Sequence, residues 1–72
     1  MAHDIIYNAL IKKYEADIAD ASAKITILMT ETRIIPEHID ITGEVAKLLH
    51  KISSAEDRMA AMRRHYGKKE AD

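Results

Sequence analysis

The chain contains no cysteine, which removes disulfides and thiolate zinc sites as sources of stability and is compatible with a reducing cytosol. Phenylalanine and tryptophan are also missing and tyrosine occurs three times. A stacking surface for nucleobases would therefore have to be built on Tyr66, the one aromatic residue beside a basic run. With one proline and two glycines there is little material for turns. No stretch approaches the roughly 20 apolar residues that span a bilayer, and Met1 to Leu10 lacks the basic and apolar regions of a secretory signal. The expected setting is cytoplasmic, with no membrane partner. Charge of one sign is lacking too: the formal net charge is −1, too near neutral to steer the whole molecule to nucleic acid or anionic lipid, so any such contact has to be local.

What is present points to helices. Apolar residues make up 47% of the chain and charged ones 32% with the signs mixed, the balance of a helical bundle and not of a disordered tail. From Tyr7 through Ile11, Tyr14, Ile18, Ala21, Ile25, Leu28 and Thr32 to Ile35, residues of mostly apolar type recur at spacings of four and three. This is a heptad seam, with Ile11, Ile18, Ile25 and Thr32 at a and the others at d. Asp4 is the expected N-cap, and Pro36, with Thr30 and Thr32 before it, ends the helix. The segment spans about 45 Å at 1.5 Å per residue.

A second seam runs through Ile41, Val45, Leu48, Ile52, Ala55, Met59, Met62 and Tyr66. Thr42 is its expected N-cap, and Gly67 is the expected left-handed C-terminal cap. The reading is all-α and a single domain: helix 4–34, turn 35–42, helix 43–66 and a frayed tail 67–72, folded as an antiparallel hairpin. Two registers compete. One, symmetric about residue 38, sets Ala21 on Ala55 but Lys24 beside Lys51 and Glu31 beside Glu44. The other slides the second helix to pair Tyr14 with Tyr66, Ile18 with Met62 and Leu28 with Ile52, and offers Lys24 to Glu56 and Asp17 to Arg63. The slid register is preferred on those ion pairs, although each is worth only about 0.2–1 kcal/mol.

A chain of 72 residues seldom gains more than about 3–5 kcal/mol from a single core. Here apolar residues also spill beyond one seam: Leu10, Met29 and Leu49 flank it, and Ile5, Ile6, Ile27, Ile34 and Ile39 lie elsewhere. Two hairpins pairing into a four-helix bundle with twofold symmetry would cover them. Ile27, Met29, Ile34, Ile39 and Leu49 gather near the turn and are the expected partner interface, for a second copy or another helical protein.

Few residues invite chemistry. His50, Ser54 and Asp57 imitate a catalytic triad at helical spacing, but they fall at f and c positions opposite the seam, where nothing excludes water or gathers oxyanion donors. Glu37, His38, Asp40 and Glu44 cluster at the turn without the spacing of a calcium loop or a paired-His metal motif. No enzyme activity, cofactor or metal is expected. Arg58 to Lys69 holds no acid. Cations at a helix C-terminus complement its dipole, and Lys51, Arg58, Arg63, Arg64, Lys68 and Lys69 are at the same time the candidate phosphate contacts of a nucleic-acid binder. The primary expectation is a non-enzymatic, homo-oligomeric adaptor or regulator, and RNA or DNA binding at the basic end is the alternative.

The seam assignment has a direct test. Ile25→Asp buries a charge among apolar neighbours and should cost several kcal/mol, comparable with the whole stability of a small domain, whereas Lys12→Asp at an outward b position should change it by no more than about 0.5 kcal/mol. Equal shifts in the two thermal melts would remove the heptad assignment.

Overall fold

The computed structural model describes residues 2–30 and 40–67, and two helices account for nearly all of them: α1, Ala2–Thr30, and α2, Ile41–Tyr66. They pack against each other as an antiparallel pair, with His3 near the start of α1 beside Tyr66 at the end of α2. Among the described residues there are two helices, and so a single seam between them.

The four-three pattern explains which side chains turn inward. On α1, Tyr7, Ile11, Tyr14, Ile18, Ile25 and Leu28 are half-buried and Ala21 is fully buried. On α2, Ile41, Val45, Leu48, Ile52 and Met62 are half-buried, and Ala55 and Met59 are buried. Among the described seam residues Tyr66 is the one that stays out, at 57% exposure. Burial is deepest where the side chains are small. Ala21 and Ala55 occupy d positions, and a methyl group there lets two helices approach closely. Among the described residues no ion pair or hydrogen bond joins α1 to α2. Lys13–Asp17 at 3.3 Å, Lys24–Asp20 at 3.0 Å and Lys47–Glu44 at 3.3 Å all lie within one helix.

The register differs from both expectations. Tyr66 and Met62 lie with His3, Ile6 and Tyr7, and Ala55 and Arg58 lie with Lys13 and Asp17. Tyr66 thus meets Tyr7, about two turns before Tyr14 and about one turn from the symmetric alignment. The expected ion pairs Lys24–Glu56 and Asp17–Arg63 do not form, because each of those acceptors or donors takes a partner on its own helix or faces water. Exposed pairs worth a few tenths of a kcal/mol are too weak to set the register.

The termini also differ. Asp4 sits inside the first turn of α1, where its charge favours the positive end of the dipole, and does not cap it. α2 starts at Ile41 and not at residue 43. Its N-cap is Asp40 in an extended conformation, whose Oδ1 accepts from the Gly43 N–H at 3.0 Å while its carbonyl accepts from the Glu44 N–H at 2.9 Å. Thr42 is therefore the second residue of the helix. A Cβ on Gly43 would run into the Asp40 carboxylate, so glycine leaves room for this cap. Gly67 has φ −67° and ψ 152°, extended and not left-handed. Its N–H still donates to the Arg63 carbonyl at 3.1 Å, and a Cβ at 67 would lie 2.5 Å from that oxygen. Close approach, and not handedness, is what calls for glycine there.

α1 continues through Thr26 and Thr30 despite their β-branches, and their hydroxyls donate back to the carbonyls of Ser22 at 3.0 Å and Thr26 at 2.6 Å. The expected finish of the first helix near residue 34, most of the turn and the frayed tail lie outside the described residues.

The cap assignment can be measured by urea denaturation. Asp40→Ala should lower stability by about 0.5–2 kcal/mol, and Thr42→Ala should stay within about 0.5 kcal/mol of the parent. The reverse order would return the cap to Thr42.

Candidate functional site

Among the described residues no side chain of leucine, isoleucine or tyrosine size is fully buried, and six large apolar side chains face solvent: Ile5, Ile6, Ile27, Met29, Leu49 and Tyr66. Ile27 at 46%, Met29 at 67% and Leu49 at 57% are residues expected at an interface near the turn. Met29 and Leu49 stand at e positions, and antiparallel pairing sets the e edges of the two helices side by side. Ile34 and Ile39 lie outside the described residues. The sequence reading underestimated the opposite end. Ile5 at 69% and Ile6 at 59% make a second apolar exposure there, joined by Tyr66, which had been placed in the seam.

That end also holds an apolar cavity of about 220 Å³ lined by His3, Ile6, Tyr7, Met62 and Tyr66. The His3 ring stacks on Tyr7 at 6.5 Å and meets Tyr66 edge-on at 6.3 Å, and its Nδ1 lies 3.5 Å from the Asp4 carboxylate. His3 carried no expectation from periodicity. Its position one turn before Tyr7 is the only signal that could have found it.

The basic residues do not form one strip. Arg63, Arg64 and His65 occupy the last turn of α2. At about 100° per residue, Arg63 and Arg64 point roughly 140° and 120° away from Arg58 on either side, so the run winds around the helix. Lys68 and Lys69 lie outside the described residues. Lys51 and Arg58 instead line a groove of about 300 Å³ between the helices, together with Lys13 and Asp17 of α1. His50 and Ser54 line it as well, with Ala55 among the lining residues.

This corrects the placement of two triad-like residues: Ser54 is half-buried, and it and His50 border a groove instead of an outward face. The c and g edge of α2 leans over α1 once the helices pair. Asp57 remains exposed outside the groove, and no hydrogen bond links the three side chains. Among the described residues no three His, Asp or Glu side chains gather as metal ligands. Glu37 and His38 of the turn cluster fall outside that range. No described helix is long and apolar enough to cross a membrane.

No family model, curated protein or solved structure matches the chain. Function has to be read from the side chains themselves.

The aromatic end supplies a test of the register. In a double-mutant cycle, Tyr7→Ala and Tyr66→Ala should couple by about 0.5–3 kcal/mol, while Tyr14→Ala and Tyr66→Ala should add within about 0.5 kcal/mol. Coupling confined to Tyr14 would restore the slid alignment.

Proposed function

We propose that the chain is a non-enzymatic helical interaction module that works as a homo-oligomer, two hairpins pairing into a four-helix bundle. The observation that carries this reading is the imbalance of burial. Among the described residues the hairpin buries two alanines and one methionine, while six large apolar side chains remain 46–69% exposed. Burying a leucine- or isoleucine-sized side chain completely from full exposure is worth about 1.5–3 kcal/mol, so covering the remaining half or so of several of them rivals the roughly 3–5 kcal/mol that a domain of this size draws from its own core. A second copy is the occupant that fits best. Met29 and Leu49 supply an exposed apolar edge at the turn end, and a twofold axis would set that edge against itself.

Nucleic-acid binding by the C-terminal end of α2 draws less support. Its arginines diverge around the helix, and a basic last turn is what the helix dipole favours on its own. Catalysis draws none, since His50 and Ser54 share a groove without a hydrogen bond between them or a third group to orient either.

Sedimentation and circular dichroism over a dilution series provide the experiment. Assembly and helicity should be lost together, and Met29→Ser combined with Leu49→Ser should raise the midpoint concentration by at least about tenfold. A fully helical, stable monomer at low micromolar concentration would overturn the reading. If the chain is monomeric and poorly helical alone but folds on adding a different protein, the occupant is a heterologous helix and the homo-oligomer is wrong.

A further inference from the structure

The groove between the helices differs in charge from the rest of the molecule. Lys13, Lys51 and Arg58 bring three permanent cations to it and Asp17 one carboxylate, a local excess of two positive charges in a chain whose formal charge is −1. The carboxylate is already engaged, since Asp17 Oδ2 accepts from Lys13 Nζ at 3.3 Å. Among the described residues no acid lies within ion-pair distance of Lys51 or Arg58.

The spacing is suited to one small anion. Lys51, Ser54 and Arg58 follow one another at three and four residues on a single edge of α2, so the two cations stand about 10 Å apart along the axis with the serine midway. Long side chains from both ends can converge over it. Ala55, only 3% exposed, takes up little room beside it, and Ser54 is half-buried. The two neighbouring serines differ: Ser53 donates its hydroxyl to the His50 carbonyl at 3.1 Å, whereas Ser54 Oγ has no partner among the described residues. His50, one turn before Ser54, brings ring nitrogens to the same groove.

We infer that this groove binds a phosphate group in its dianionic form, as carried by inorganic phosphate or a small phosphate monoester. In the bound arrangement Lys51 and Arg58 close on the oxyanion from either side, and the Ser54 hydroxyl donates to it from below. The set is rich in N–H and O–H groups, and its one carboxylate is held by Lys13, which suits a tetrahedral ligand that only accepts. A local charge of two fits a terminal phosphate, which carries about −1.5 to −2 near neutral pH, better than the single charge of each phosphodiester in a nucleic-acid backbone. The inference does not rest on self-association: Met29 and Leu49 lie on the other edge of the seam.

Inorganic phosphate titrated into the full chain, followed by amide chemical shifts against sodium chloride of matched ionic strength, tests it. Saturable shifts should centre on Lys51, Ser54 and Arg58 and extend to Lys13. Lys51→Glu with Arg58→Glu, both exposed and tolerant of substitution, should weaken binding by at least about tenfold, and Ser54→Ala by a smaller factor. Arg64→Glu makes half that charge change outside the groove and should leave affinity within about twofold. Absence of saturation, or equal weakening by Arg64→Glu, would overturn the site. So would saturable binding of single-stranded RNA with none of phosphate, which would make the ligand a nucleic-acid backbone.

Discussion

The structure depends on one apolar contact between two helices, with alanine at its most deeply buried points and half-buried isoleucine, leucine, valine, tyrosine and methionine along the rest of the seam. Ala21 and Ala55 are the most deeply buried side chains, followed by Met59, and no polar bond reinforces the contact among the described residues. Hydrophobic contact is non-directional and scales with area, and alanine contributes little area. The pair can lie close together and still be weakly held. Among the described residues each ion pair lies within one helix, and at exposures of 45–79% none of them adds much.

Both surface features follow from that geometry. Two helices in one layer have no interior for large side chains, so those at b, c and e positions stay in water: Ile5 and Ile6 at one end, Ile27, Met29 and Leu49 nearer the other. Along the g edges, in contrast, close approach over alanine brings charged side chains from both helices to the rim of one groove. The same small residues that limit the core thus expose the apolar surface that self-association would cover and shape the basic groove proposed to hold phosphate.

The two proposals use different parts of the molecule. In the one the apolar edge at the turn end would carry assembly, and in the other the middle of the opposite edge would carry anion binding. A regulator that assembles and also senses a small phosphate compound would need both, separated as they are here. Ligand binding at the groove would stabilise whichever form keeps Lys13 of one helix close to Lys51 and Arg58 of the other, through mass action alone.

Helix type, helix number and the identity of the seam were legible in the sequence. A run from Tyr7 to Leu28 at alternating spacings of four and three leaves no other regular structure able to put those side chains on one side, and the run from Ile41 to Met62 does the same. Exposure of Ile27, Met29 and Leu49 also followed, because their heptad positions lie off the a and d columns. Asp40 as the cap was not legible, since Thr42 also offers a side-chain oxygen to the N–H groups two and three residues on, and only the backbone decides that the helix starts at Ile41 with Asp40 Oδ1 accepting from the Gly43 N–H. Nor was the extended Gly67, whose need for glycine comes from the Arg63 carbonyl above it. The sequence by itself determined two amphipathic helices and the stripe on each, because periodicity is a property of one helix. Only the tertiary structure decided the register, and with it the meeting of His3 with Tyr66 and of Lys13 with Lys51 and Arg58, because heptad seams repeat and sliding one past the other by a turn or two keeps apolar against apolar.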